Sequence, residues 1–207
     1  NRPDSSVPGQ DQDGFGITAQ HFAGGVLGGF NKFAIQHFTG SAAGSPAYPN
    51  NGAGSNQKLT RVVEILQFQP SADFSGMATV VWQQRKNDFD WLSMGIRPVF
   101  HMNEFFKIQA ELGYDEIKIK NPAPGDGKRK LTKFTIAPTI VAGGNFWSRP
   151  EIRFFYTYAK WNDAARDTTS WCDAESVGCA GVAGGRGGRF GSDTNGSTIG
   201  AQVEAWW

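Results

Sequence analysis

The feature that most constrains this chain is a period-two alternation of apolar and polar residues that recurs in segment after segment. Successive side chains of a β-strand point to opposite faces, so this alternation predicts strands. It is cleanest in the last nine residues, where one face carries Ile199, Ala201, Val203, Ala205 and Trp207 and the other carries Gly200, Gln202, Glu204 and Trp206. We predict further strands near 14–23, 28–39, 58–69, 76–86, 91–101, 107–115, 133–141 and 151–161, which makes about nine strands and no helix. The register of the segment 58–69 is ambiguous.

The composition excludes several other classes of protein. No run of about 18 apolar residues, the length that a spanning helix needs, occurs in the 207-residue chain, and its mean hydropathy is −0.40. A strand of a membrane barrel faces lipid only with every second residue, so the same test leaves a barrel open. The 27 glycines and 13% aromatic residues suit many strands joined by turns. The formal net charge of +1 provides no attraction to nucleic acid.

The lengths of the connections between the predicted strands nearly alternate. Those near 24–28, 70–75, 102–104 and 143–147 are short, and those near 40–57, 120–130 and 162–196 are long and rich in Gly, Asn, Ser and Asp. The connection near 86–90 is short but falls on the side of the long ones. Outer-membrane barrels have short periplasmic turns and longer external loops. The pattern therefore predicts an antiparallel transmembrane β-barrel whose polar face lines a water-filled lumen.

The strand count raises the question of how the barrel closes. Single-chain bacterial barrels have an even number of strands, and unpaired backbone groups at a sheet edge are costly in lipid. Nine strands therefore need an odd number of partners, and we expect residues 1–207 to form about half of a larger barrel. The alternative is a compact all-β protein that is complete in itself.

Two segments near the end of the chain resemble a known family. Residues 146–153, Phe-Trp-Ser-Arg-Pro-Glu-Ile-Arg, continue into Tyr-Thr-Tyr-Ala-Lys-Trp at 156–161, and residues 200–207 read Gly-Ala-Gln-Val-Glu-Ala-Trp-Trp. They are similar to the last two strands of the maltoporin family. Weaker matches occur in the family's order at 29–33, 95–98 and 111–115. The resemblance covers nearly the whole chain, as the C-terminal half of a maltoporin-like barrel domain.

The resemblance implies an 18-stranded barrel, of which nine strands are half. It also implies a homotrimer in the outer membrane of a Gram-negative bacterium, among lipid and lipopolysaccharide, with ion transport and an external surface open to phage. The implied function is passive diffusion of maltose and maltodextrins. Two alternatives remain: a porin for another oligosaccharide, such as sucrose or a β-glucoside, or a soluble sugar-binding β-sandwich.

Three matched positions correspond to the family's aromatic slide, a line of rings along which sugars move: Phe30, Trp147 and Trp206. The alternation in the sequence supports each of them separately. Trp206 shares a face with Gln202 and Glu204, and the other two rings have the parity of nearby charged residues. The competing interpretation is that these rings belong to a girdle at the membrane interface. Tyr156, Tyr158 and Trp207 fit that role better, since they lie on apolar faces.

Polar groups that could bind sugar hydroxyls complete the candidate site. They are the charged residues of the predicted lumen face: Arg97, Glu111, Arg153 and Glu204. Each could equally be a paired residue of the wall. Cys172 and Cys179 lie in the longest predicted external loop, and their spacing allows a small disulfide-closed loop. Unpaired thiols are the alternative, and zinc is a weaker one because no second Cys or His pair accompanies them.

No pattern in the sequence indicates an enzyme, a cofactor or a metal site. His21, His37 and His101 fall on separate predicted strands without metal-ligand spacing. The segment 184–189, Gly-Gly-Arg-Gly-Gly-Arg, lacks the Gly-Lys-Ser/Thr ending and the following helix of a phosphate-binding loop. It reads better as a surface loop whose two arginines reach lipopolysaccharide phosphates.

Overall fold

The described part of the chain folds into one antiparallel sheet. A computed structural model describes residues 14–43, 57–86, 88–120, 128–168 and 193–206. Within them, nine strands pair in the order of the sequence, each antiparallel to the next. They are β1 (Gly14–Val26), β2 (Gly29–Gly40), β3 (Lys58–Phe68), β4 (Phe74–Arg85), β5 (Phe89–His101), β6 (Phe106–Ile119), β7 (Arg129–Val141), β8 (Glu151–Trp161) and β9 (Asn195–Glu204). The predicted all-β antiparallel fold is confirmed.

Several strands are longer than predicted, because the polarity of their two faces reverses near one end. In β6 the apolar residues up to Tyr114 share a face with Glu116 and Lys118, while Ile117 and Ile119 lie on the other face. A prediction that requires apolar residues on one face throughout therefore ends the strand at residue 115. The backbone pairing continues to Ile119, opposite Phe89.

The expectation of no helix is wrong for one segment of a long connection. A six-residue helix, α1, spans Asp163–Thr168. The side-chain oxygen of Asn162 accepts a hydrogen bond from the backbone N–H of Ala165 at 3.2 Å. A side-chain cap of this kind stabilises the start of a helix. A single 3-10 turn, Ser41–Ala43, follows β2. No helix among the described residues is long and apolar enough to cross a membrane.

The two faces of the sheet differ in both polarity and burial. The pairing of β7, β8 and β9 places Ile140, Ile152 and Val203 side by side on one face, and all three are exposed. Thr139 and Glu151 lie on the opposite face and are buried. A curled sheet covers its concave face more than its convex face, so we call the polar, less exposed face the inner face. The outer face is largely apolar, as a wall against hydrocarbon requires.

The connections at one end of the sheet are short. They are the turn at 27–28 and the segments 69–73, 102–105 and 142–150. The first is a tight turn in which Gly28 has a φ of 75° and a side chain would collide with the backbone oxygen of Gln69. Within the described residues, β1 and β9 each pair with a single neighbour, so the sheet is open. Such a sheet is consistent with half of a porin barrel.

Candidate functional site

A cluster of five charged side chains lies on the inner face at the short-connection end of β6, β8 and β9. Its centre is Glu151, the first residue of β8, which is fully buried. Lys107 at the start of β6 approaches it at 2.8 Å, Arg149 at 3.1 Å and Arg153 at 2.6 Å. Glu204 at the end of β9 pairs with Arg149 at 3.1 Å and also binds Arg153. Two carboxylates therefore share three cations in a single network.

This cluster supports the ring of Trp206. The central carbon of the Arg149 guanidinium lies 4.3 Å from the centroid of that ring, in a cation–π contact. Arg149 itself is held by both carboxylates, Glu151 and Glu204. The guanidinium covers one face of the indole, and the residue as a whole remains 51% exposed. Trp206 therefore presents a flat apolar surface with a fixed support beneath it.

Trp147 lies in the connection 142–150, so strand parity alone does not set its direction. The neighbouring ring of Phe146 is buried and packs edge-on against it, with centroids 4.9 Å apart. Gln69, from the connection between β3 and β4, accepts a hydrogen bond from the Phe146 N–H at 3.2 Å and donates one to the Gly144 carbonyl at 3.1 Å. The connection is thereby fixed across the end of the sheet, and Trp147 is left 45% exposed.

Phe30 lies near the start of β2 on the inner face. Its neighbour on β1, Phe22, has the same orientation, and the two rings stack with centroids 5.6 Å apart and an interplanar angle of 29°. Phe30 pairs with Gln67 of β3, two residues before Gln69. Phe30, the Trp147 connection and Trp206 therefore lie at the same end of the sheet. Contacts join the last two: Arg149 donates a hydrogen bond to the Phe146 carbonyl at 3.4 Å and lies over the Trp206 ring.

Further from that end, the inner face carries polar pairs. Arg97 donates two hydrogen bonds to one oxygen of Glu111, at 2.9 and 2.6 Å. The hydroxyls of Thr135 and Thr157 lie 2.8 Å apart. The four lumen charges singled out from the sequence are therefore all ion-paired, Arg97 with Glu111 and Arg153 with Glu204. Paired groups of this kind remain able to donate and accept further hydrogen bonds at their exposed edges.

Sequence reasoning missed the residues that connect the predicted rings. Phe22 could have been found, because it has the parity of Thr18 and Gln20 on its strand. Lys107 and Gln69 carry no signal in the sequence, since their partners lie 44 and 77 positions away.

Cys172, Cys179 and the glycine-rich segment 184–189 lie outside the described residues. The histidines at 21, 37 and 101 lie on β1, β2 and β5, and no group of three or more metal-ligating residues occurs in the part of the chain that the structure describes.

An antiparallel sheet with an apolar outer face, a polar inner face and short connections at one end is typical of the wall of a porin. The family model described as LamB porin matches residues 1–207. The chain therefore belongs to the LamB porin family. This is a family of sugar-conducting porins of the bacterial outer membrane, and its members are channels rather than enzymes.

Proposed function

We propose that the protein conducts maltose and maltodextrins by facilitated diffusion along an aromatic slide that includes Phe30, Trp147 and Trp206. The observation that carries this proposal is the half-exposed Trp206 ring, which rests on the ion-paired Arg149 beside the inner-face charge cluster.

The chemistry of the site suits a sugar. A pyranose ring has apolar faces edged by hydroxyl groups, so it stacks on aromatic rings while its edge forms hydrogen bonds. The exposed rings of Trp147 and Trp206 offer the first kind of contact, and the nearby ion pairs offer the second. Several weak stations in a row allow a sugar both to enter and to leave, whereas one tight site would retain it.

The open sheet implies further strands when it lies in a membrane. An unpaired edge of β1 or β9 would leave backbone groups unsatisfied in hydrocarbon. We therefore propose that the nine strands are half of an 18-stranded wall, as the C-terminal half of one barrel domain. From the family alone we extend the proposal to a homotrimer in contact with outer-membrane lipid and lipopolysaccharide, to ion transport, and to an external surface open to phage.

The test is current through single channels in a planar lipid bilayer. We expect maltotriose to block the current in a concentration-dependent manner and an amino acid to leave it unchanged. Sucrose and a β-glucoside are the comparison sugars, because stronger block by either would reassign the substrate within the porin class. A current that no sugar reduces would contradict the proposal, and a polypeptide that stays monomeric in buffer without detergent would favour a soluble sandwich.

A further inference from the structure

We propose a separate sugar-binding station at Phe155, in the middle of the inner face and away from the predicted slide. This inference rests on the proposed function, since it adds a site to the same channel. Phe155 lies on β8, and the alternation of that strand directs its side chain to the inner face, between Arg153 and Thr157. It is an aromatic residue on a face whose neighbouring positions are polar.

The two residues that flank Phe155 on the neighbouring strands are both small. On one side is Gly200 of β9, which pairs directly with Phe155. On the other is Ala137 of β7, which falls between the paired positions Ile136–Tyr156 and Thr139–Arg153. These small neighbours leave space beside the ring. A concavity of about 200 Å³ lies there, bordered by Phe155, Ala137 and polar side chains.

Gly200 determines how the ring lies. A Cβ atom added at Gly200 would meet the tip of the Phe155 ring at 2.6 Å, and two further ring atoms at 3.0 and 3.2 Å. The ring therefore leans over Gly200, flat against the backbone of β9, and does not project into the lumen. Covering a glycine with an aromatic ring is a known way to stabilise a strand pair. In this position it also presents the open face of the ring to the lumen.

Hydrogen-bonding groups border the concavity at both ends. On the side towards the long connections, the pairing aligns Arg97, Glu111, Thr135 and Thr157 in one row across β5 to β8. On the side towards the charge cluster lie Arg153 and Gln202, which pair with each other across β8 and β9. A flat apolar surface between two polar borders matches a pyranose ring, whose hydroxyls lie around its edge.

The station is distinct from the Trp147 and Trp206 rings. Phe155 lies four residues along β8 from Glu151, which is about 13 Å at roughly 3.3 Å per residue. A monosaccharide or disaccharide at the tryptophans does not span that separation, whereas a longer maltodextrin does. The contribution of Phe155 to binding should therefore increase with the length of the sugar.

The experiment measures sugar block of the full-length channel in planar bilayers for Phe155→Ala and for a matched control, Phe154→Ala. Phe154 is adjacent in sequence, of the same type, and 54% exposed on the outer face. We expect Phe155→Ala to weaken block by maltohexaose about two- to tenfold and block by maltose much less. Phe154→Ala should match the wild type, and Phe155→Tyr should retain most of the affinity. Gly200→Ala should weaken block by displacing the ring without removing it.

The outcomes separate this inference from the proposed function. If maltohexaose blocks the wild type but Phe155→Ala binds it as tightly as Phe154→Ala does, the station is overturned and the proposed function stands. An equal loss for maltose and maltohexaose would also overturn the station, because it would indicate a distorted wall. If no sugar blocks the wild type, the proposed function fails first. Should Phe155→Ala not form open channels, Phe155→Leu provides the same comparison.

Discussion

Replacing Glu151 with glutamine should lower the free energy of unfolding of the channel by about 3–5 kcal/mol. Glu151 is fully buried and is the direct ion-pair partner of Lys107, Arg149 and Arg153. Glutamine has nearly the same shape but no charge, so Arg149 and Arg153 would keep Glu204 as their carboxylate partner while Lys107 would lose its own. Lys107 would be affected most, since it is also almost fully buried and is not paired with Glu204. A buried charge that loses its partner keeps its desolvation cost without compensation.

The measurement is denaturant-induced unfolding of the refolded channel in detergent, with Glu204→Gln as the matched control. Glu204 belongs to the same network but its side chain is 31% exposed, so water can solvate the arginines that it releases. We expect its loss to cost about 1 kcal/mol. Combining Glu151→Gln with Lys107→Met should recover part of the stability, because the unpaired buried ammonium is then absent. Equal destabilisation by the two glutamine variants would show that Glu151 is not the centre of the cluster.

The overall fold could be predicted from the sequence because it rests on local signals. Alternation within each strand and turn residues between strands are readable one segment at a time, as in β8, whose predicted bounds of 151–161 are those observed. The prediction is weaker at β6 and β7. Near the long connections, charged residues of these two strands lie on the outer face and interrupt its apolar pattern. The period of the apolar and polar alternation then cannot distinguish a continuing strand from a loop.

The candidate site could be predicted only in part, because its residues meet across strands. Trp206 was placed on the inner face by its alternation with Glu204, and Phe30 by its parity within β2. The support beneath Trp206 depends on Arg149, which lies outside a strand, and on the register that sets Glu151 opposite Glu204. The register between two strands depends on how the two segments pair. It therefore cannot be predicted from the pattern within either segment alone.

Replacing Trp206 with alanine should weaken maltotriose block of the channel current roughly thirtyfold. The indole offers about 80 Å² of one face to a sugar, and at about 25 cal/mol per Å² its removal costs about 2 kcal/mol of binding. The same substitution uncovers the Arg149 guanidinium, which lies 4.3 Å beneath the ring. A guanidinium that has lost its aromatic cover is better hydrated, so it does not replace the lost stacking. The measurement is the maltotriose concentration that halves the single-channel current.

Two variants separate loss of stacking from damage to the wall. Trp206→Phe retains a flat ring on the guanidinium, and we expect it to recover most of the affinity, to within about threefold of the wild type. Tyr158→Ala removes an aromatic from the outer face, and it should leave sugar block unchanged. Ion current without sugar checks that each channel is open and intact. The contrary result is that Trp206→Ala binds maltotriose as tightly as the wild type and Tyr158→Ala binds it more weakly. The ring at the end of β9 would then face lipid, because only a ring that lines the water-filled path can bind a sugar.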